Sequence, residues 1–195
     1  MAKKDDLRYR RTEASIRSSF MELVATTPVS KVTVSAICRR AGISRNAFYL
    51  HHLSVSALYG ALVDELVEDV HVESLASSRR VAATGNVDLQ LVPAIMDALG
   101  RHEELLRALL PSDDGSLAKR LALGLEEAYL DAGLLLGKNA GGFRHRMNCA
   151  FAAWAHVGFV MRWTEETERP LIEALPLFEE MQTGITAFAA KLLME

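Results

Sequence analysis

Apolar residues recur every three or four positions along almost the whole chain, and this spacing constrains the fold more than any other feature. Leu58, Leu62, Leu66 and Val70 repeat every four residues, which places them on one face of a helix. The same spacing returns in four further stretches: residues 16–24, 117–130, 147–161 and 175–192. No run of β-branched residues alternates over strand length. The sequence therefore predicts an all-α fold of about nine helices.

Length and composition limit the class of protein further. The chain has 195 residues, half of them hydrophobic, which is enough for one large or two small domains with a real core. Two isolated cysteines exclude a disulfide scaffold and fit a reducing compartment. The start lacks the apolar segment of a signal peptide, and the uncharged stretch 147–161 is shorter than the ~20 residues of a spanning helix. We expect a cytoplasmic protein without a membrane partner.

The net charge of −3 conceals an uneven distribution. Residues 1–52 contain ten basic and four acidic side chains, so this end carries +6 and the remainder −9. A basic end joined to an acidic body is typical of a protein that meets a polyanion with one end. On charge alone, a merely solvated basic surface explains the distribution equally well.

Residues 31–58 hold the most specific pattern of the sequence. Thr33 suits the N-cap of a short helix that ends at Ala41, and Gly42 supplies the positive φ of a turn. Ser44 then caps a second short helix, from Arg45 to about residue 50. Two short helices joined by a glycine turn predict a helix-turn-helix, whose second helix enters the DNA major groove.

The residues at the start of this second helix suit the reading of base edges. Arg45 can pair with guanine, Asn46 with adenine, and Ala47 can touch a thymine methyl group. Thr33 would lie near a DNA phosphate, at the start of the first of these two short helices. Ordinary surface positions are the alternative interpretation of Arg45 and Asn46.

An ordered set of residues from about 10 to 66 resembles the DNA-binding domain of the tetracycline-repressor (TetR) family of bacterial transcriptional regulators. The set consists of a basic arm, Ile16 and Phe20, Val32-Thr33-Val34, Ile37, Arg40-Ala41-Gly42-Ile43-Ser44, Phe48-Tyr49 and His51. The rest of the chain matches only in size and helical character. The resemblance implies a homodimer with a variable helical C-terminal domain, which binds a small effector and dimerises through its last two helices.

The resemblance also implies roles for individual residues. Predicted DNA contacts are Arg8, Arg10 and Arg11 in an arm before the first helix, Thr33, Ser44, Arg45, Asn46, Ala47, Tyr49 and His51. Thr33, Tyr49 and His51 would contact the phosphate backbone. Two positions depart from the family pattern: His52 replaces a Phe, and Val55 replaces a Lys. The second change removes an expected phosphate contact.

The C-terminal half gives a less specific signal. Candidate pocket walls, which could equally be plain core, are Leu91, Ile95, Met96, Leu99, Leu106, Leu110, Leu121, Leu125, Tyr129, Phe151 and Trp154. His102, His156 and Arg162 are candidate polar groups of such a pocket. Candidate dimer contacts on helices 143–165 and 170–194 are Met147, Trp154, Gly158, Met161, Phe178, Met181, Ile185 and Phe188. A core within one chain is the alternative.

Several functions lack their motifs. The sequence contains no dinucleotide or P-loop fingerprint, no G-x-S-x-G and no H-E-x-x-H, so we expect no enzyme, no cofactor and no metal. We expect a helix-turn-helix domain over residues 1–53 and an effector-binding and dimerisation domain over 54–195. The favoured function is a dimeric repressor that binds a palindromic operator and is released by an unknown small molecule. The alternative is a helical protein-binding adaptor that keeps the fold without binding an operator.

Overall fold

The computed structural model describes residues 2–84, 91–135 and 142–181. Every regular element in these ranges is helical, which confirms the predicted all-α class. The α-helices are α1 (Ala2–Val24), α2 (Val34–Ala41), α3 (Arg45–Tyr49), α4 (Val55–Thr84), α5 (Leu91–Arg101), α6 (Glu103–Leu109), α7 (Ser116–Leu135) and α8 (Phe143–Glu166). Three 3-10 helices cover Val29–Lys31, Leu110–Ser112 and Leu171–Ala174, and residues 175–181 are α-helical. None of the described helices is both long and apolar enough to cross a membrane.

The described chain forms two compact units. The first runs to Glu65 and adds Glu104–Leu117, and the second contains Leu66–Glu103 and the described residues from Ala118 onward. The helix-turn-helix lies within the first unit. The domain boundary after residue 53 stays a prediction.

The turn between α2 and α3 forms as the sequence predicts. Gly42 ends α2 in the left-handed conformation with a φ of 66°, which glycine adopts without the steric cost of a Cβ. The carbonyl of Cys38 accepts hydrogen bonds from the backbone amides of Gly42 and Ile43. Ser44 then caps α3, because its Oγ accepts a hydrogen bond from the amide of Ala47 at 3.1 Å.

Apolar side chains from α1, α2 and α3 fill the core of the first unit. Ile16 and Phe20 of α1, Ile37 of α2 and Phe48 of α3 are all fully buried. Burying side chains of this size stabilises a fold by roughly 2 kcal/mol each. Ser15 adds a polar tie, because its hydroxyl donates to the Ala41 carbonyl at 3.2 Å and joins α1 to the end of α2.

The second unit buries one face of each of its long helices. On α8 this face consists of Cys149, Ala153, His156, Val157 and Val160. Residues 171–174 pack against α5 and α8, and the amide of Leu171 donates to the Glu103 carboxylate at 3.0 Å.

Two element boundaries correct the sequence-based predictions. The first helix begins at Ala2, so Arg8, Arg10 and Arg11 lie inside α1 rather than in an arm before it. Pro170 precedes a 3-10 helix, and the α-helix starts at residue 175. Pro176 therefore falls in the first helical turn, where its missing N–H costs no hydrogen bond.

The left-handed conformation of Gly42 predicts a stability change that can be measured. Gly42→Ala should lower the free energy of unfolding by about 1 kcal/mol, because a Cβ disfavours a positive φ. Gly60 of α4 is the matched control, since a Cβ there would meet nothing within 4 Å. Gly60→Ala should raise the free energy of unfolding by about 0.5–1 kcal/mol through its helix propensity. Urea unfolding measures both, and a stabilising Gly42→Ala would contradict the turn.

Candidate functional site

The first residues of α3 are exposed, and one of them is hydrogen-bonded to α2. Arg45 and Asn46 face solvent, whereas Phe48 one turn later is fully buried. The guanidinium of Arg45 donates through Nη2 to the Ser35 hydroxyl of α2 at 2.6 Å. An arginine has five N–H donors, so this bond leaves others for a base edge. Sequence reasoning missed Ser35, because its partner lies ten residues further along the chain.

Two of the predicted DNA contacts, Thr33 and Ser44, serve as N-caps of the two short helices. The Thr33 hydroxyl accepts a hydrogen bond from the Ala36 amide at 3.2 Å, as Ser44 does from Ala47. Both residues are exposed. Because a hydroxyl can donate its own proton while it accepts, capping leaves each side chain able to bind a phosphate oxygen.

Tyr49 and His51 occupy different environments despite their shared predicted role. Tyr49 is 51% exposed, and its phenol is accessible to a ligand on the surface. The side chain of His51 is only 4% exposed. The ring of Tyr9 stacks on it, with ring centroids 3.9 Å apart. His51 is therefore held in a fixed orientation, and Tyr9 joins the surface as a residue that sequence reasoning missed.

A single carboxylate, that of Glu13 on α1, holds both adjacent histidines. His51 Nδ1 donates to Glu13 Oε2 at 2.9 Å, and His52 Nε2 lies 3.1 Å from both carboxylate oxygens. Arg17 donates to the same carboxylate through Nε at 2.7 Å and also pairs with Glu65. Burial alone would raise the pKa of Glu13, but the hydrogen bond from Arg17 and the charge of His52 outweigh it and lower that pKa.

The basic side chains of the first unit differ in what they contact. Arg17 and Arg40 form ion pairs with glutamates, Arg40 with Glu22. Arg8, Arg11 and Arg45 are exposed, and Arg45 contacts Ser35. Glu13 and Glu22 are already subtracted in the charge of +6, and of the paired glutamates only Glu65 lies outside residues 1–52. The exposed basic side chains that can meet a polyanion lie on α1 (Arg8 and Arg11), in the α1–α2 connection (Lys31), on α2 (Arg39) and at the start of α3 (Arg45).

Nine of the predicted pocket residues lie in the described interior or close to it. Leu91 is half-buried, and the other eight are buried: Ile95, Met96, Leu99, Leu106, Leu110, Leu121, Leu125 and Tyr129. Phe151 and Trp154 are the exceptions and correct the prediction, because they are 62% and 50% exposed. Both lie on the face of α8 opposite its buried residues. Their helical spacing was recognised, but the side of the helix that faces the core was not.

The buried polar groups of the second unit include a tyrosine–histidine pair. The Tyr129 hydroxyl lies 2.8 Å from Nδ1 of His156. The His156 ring also packs against Phe178, at a centroid distance of 4.1 Å. Burial lowers the pKa of His156 to about 4 and raises that of Tyr129, so both side chains are neutral at pH 7. Of the predicted polar pocket groups, His102 instead pairs with Asp69 and Arg162 with Glu166.

The predicted dimer contacts divide into three groups. Met147, Trp154 and Gly158 are exposed and Met161 is half-buried on α8, and Met181 is exposed. Phe178 corrects the prediction, because it is buried against His156 and Phe159 of its own chain. Ile185 and Phe188 lie outside the described residues.

A surface cleft of about 470 Å³ lies within the first unit, and none of the predicted pocket residues line it. Its walls combine the α1–α2 connection (Val29 and Val32), the first turn of α4 (Val55 and Tyr59) and the start of α7. Val55, which departs from the family pattern, is therefore a wall of this cleft. Among the described residues, no group of three or more His, Cys, Asp and Glu side chains is arranged to hold a metal ion.

The buried His156 predicts a stability change with pH. Its pKa is about 4 in the folded chain, against 6.5 for an ordinary histidine. Between these values the unfolded chain binds more protons, so stability is lost as the pH falls from 6.5 to 4, by up to about 3 kcal/mol. His156→Gln should remove this contribution. Urea unfolding at pH 6.5 and 4.5 measures it, and an unchanged loss in the variant would contradict a buried neutral histidine.

Comparisons with known proteins agree with this architecture. No family model matches the sequence. A TetR transcriptional regulator from Streptococcus agalactiae superposes with a TM-score of 0.62 at 19% identity, over 93% of this chain and 98% of that one. The dihydroxyacetone kinase operon activator DhaS gives a TM-score of 0.57 at 13% identity, over 89% and 94%. The TetR-family repressor AlkX from a Dietzia species gives 0.52 at 22%, over 89% and 97%. The chain therefore has the fold of the TetR-family transcriptional regulators.

Proposed function

We propose that this protein is a dimeric, sequence-specific DNA-binding transcriptional regulator of the cytoplasm. A repressor that a small-molecule effector releases from a palindromic operator is the favoured form. The observation that carries the proposal is the geometry at the start of α3. Arg45 and Asn46 project from a helix whose position is fixed by the Gly42 turn, the Ser44 cap and the buried Phe48.

The residues around α3 supply what DNA binding requires. Base edges are read by side chains that can form paired hydrogen bonds, and Arg45 and Asn46 are of this kind. Phosphates are bound by hydroxyl, amide and cationic groups, and Thr33, Ser44 and Tyr49 offer exposed hydroxyls on both sides of the reading residues. Arg8 and Arg11 extend the cationic surface along α1. Base reading and backbone positioning are thereby assigned to different residues.

The exposed face of α8 supports dimerisation through a second copy of the chain. Phe143, Met147, Phe151 and Trp154 are each about half exposed or more and follow steps of four and three. This spacing forms one apolar strip about 16 Å long. Gly158 continues the strip with an exposed backbone where helices can approach closely. A soluble monomer rarely exposes such a strip, and a two-fold axis through it would bury it against itself.

An effector site is proposed for the second unit. The hydrogen-bonded pair of Tyr129 and His156 lies in an interior whose other buried polar side chains are Ser74, Ser77 and Ser78, and a mainly apolar interior with a few polar groups is the composition of a small-molecule site. Of the solved structures with this fold, AlkX is named a repressor and DhaS an activator. Repression is the form of regulation that we propose for this chain.

Substitutions in α3 test the DNA-binding proposal. A duplex that the protein selects from a random pool provides the probe. Arg45→Ala should weaken binding to this duplex by about 1–3 kcal/mol and relax its base preference at one position. Tyr49→Phe should weaken binding to the selected duplex and to the scrambled duplex by the same factor, because a phosphate contact carries no base preference. Fluorescence anisotropy with the selected and scrambled duplexes measures both effects.

The exposed Arg79 of the second unit provides the matched control for these variants. Arg79→Ala removes the same charge and should leave both affinity and selectivity unchanged. Failure to select any duplex would contradict the proposed function and favour a protein-binding adaptor. An unchanged base preference in Arg45→Ala would contradict the base-reading role of Arg45 without contradicting the proposed function.

The apolar strip of α8 predicts the oligomeric state. Trp154→Glu should convert a dimer into a monomer, because the strip would have to bury an unpaired charge. Leu53→Glu is the control, since Leu53 is even more exposed but lies in the first unit. Light scattering after gel filtration measures the mass. A monomeric wild-type protein, or a Trp154→Glu variant that stays dimeric, would contradict this interface.

A further inference from the structure

We infer that the surface cleft of the first unit is a binding site for a small organic cation that carries an apolar group. Its volume of about 470 Å³ falls within the range of small-molecule sites. The proposed effector site belongs to the second unit, so this cleft is a separate site. The inference does not depend on DNA binding, and either can fail without the other.

Three side chains give the cleft an apolar and aromatic wall. Val29 comes from the α1–α2 connection, and Val55 and Tyr59 come from the start of α4. Val55 and Tyr59 are four residues apart, so they share one face of the helix. All three are half-buried, and a ligand that covers them removes the rest of their apolar surface from water. This wall suits a hydrocarbon or aromatic group.

Two carboxylates that precede α7 supply the polar wall of the cleft. Oδ1 of Asp113 accepts a hydrogen bond from the Leu117 amide at 2.9 Å, and Oδ1 of Asp114 accepts one from the Ser116 amide at 3.1 Å. These bonds cap α7 and hold both carboxylates in place. A carboxylate has about four lone-pair sites, so capping leaves acceptor capacity for a ligand.

The electrostatics of the cleft favour a cation. Hydrogen bonds from Ser116 lower the pKa of Asp114, so this carboxylate is ionised at neutral pH. The N-terminus of α7 offsets about half a unit of charge, which is less than the two carboxylates bring. None of the described residues that line the cleft is a lysine, arginine or histidine. An anion would therefore be repelled and a cation attracted.

The mixture of walls indicates an organic cation rather than a metal ion. A hard ion such as Ca²⁺ takes about six to eight oxygen ligands, and it gains nothing from valine side chains. An ammonium group can instead be held by one or two carboxylates. Its hydrocarbon part then covers Val29, Val55 and Tyr59, which accounts for both walls with a single ligand.

The cleft also adjoins the start of α2. Val32 lines it and directly precedes Thr33, the N-cap of α2. A bound cation would therefore contact both the segment that leads into the helix-turn-helix and the residues that cap α7.

Calorimetric titration of the full-length chain with benzyltrimethylammonium, at pH 7 and low ionic strength, tests the site. We expect one probe to bind for each chain. Benzyl alcohol is a neutral probe with the same ring, and it should bind at least about three-fold more weakly, which is the order of an exposed ion pair. The anion phenylacetate should not bind measurably. Absence of probe binding, equal binding of benzyl alcohol, or a preference for phenylacetate would overturn the inference.

Variants of the two walls locate the binding. The double change Asp113→Asn and Asp114→Asn removes both charges, while asparagine still caps a helix. It should weaken probe binding at least about five-fold. Asp97→Asn is the matched control, since Asp97 is an exposed aspartate of the second unit, and it should bind the probe like the wild type. Wild-type affinity in the double variant would place the binding elsewhere and overturn the inference.

A second pair of variants tests the cleft without changing its carboxylates. Val55→Lys adds an ammonium group to the apolar wall, which competes for the carboxylates, and should weaken probe binding at least about three-fold. Val55→Met adds a side chain of similar length without charge and should weaken it less. Equal affinities in the two variants would contradict the role of charge in this cleft.

Discussion

The position of α3 depends on the short turn in which Gly42 adopts a positive φ. That conformation lets the Cys38 carbonyl accept the amides of Gly42 and Ile43, and the chain then reverses into the Ser44 cap. The buried Phe48 holds the new helix against the core. A helix of five residues is too short to be stable alone, so α3 exists because the turn and the core hold it. The exposure of Arg45 and Asn46 follows from this arrangement.

Charge within the first unit has two uses. Some of the charged side chains pair within the unit, since Arg17 and Arg40 form ion pairs with glutamates. The exposed arginines of α1 and α3 remain for an external anion. The Glu13 carboxylate ties both adjacent histidines to α1, so the residues that follow α3 are held to the first helix by the same few hydrogen bonds.

The helices, the Gly42 turn and the caps at Thr33 and Ser44 could be predicted because each depends on residues a few positions apart. Contacts between residues that are far apart in the sequence could not be predicted. Nothing in the sequence shows that Glu13 meets His51 thirty-eight positions later. The same limit explains why the structure corrects the predictions for Phe151 and Trp154 of α8 and for Phe178. Periodicity identified a face containing Phe151 and Trp154, yet which face a helix buries depends on its neighbours, as the buried Phe178 also illustrates.

The salt dependence of DNA association tests the central claim most directly, because it reports the phosphates that the basic surface neutralises. For a selected palindromic duplex, log Kobs against log salt should fall linearly, with a slope of about −0.9 for each phosphate contacted. If each of the two subunits contacts several phosphates, the slope should be steep, roughly −4 or more negative. Removing Arg8 and Arg11 together should make it shallower. A slope near zero would contradict the assignment of this surface to DNA.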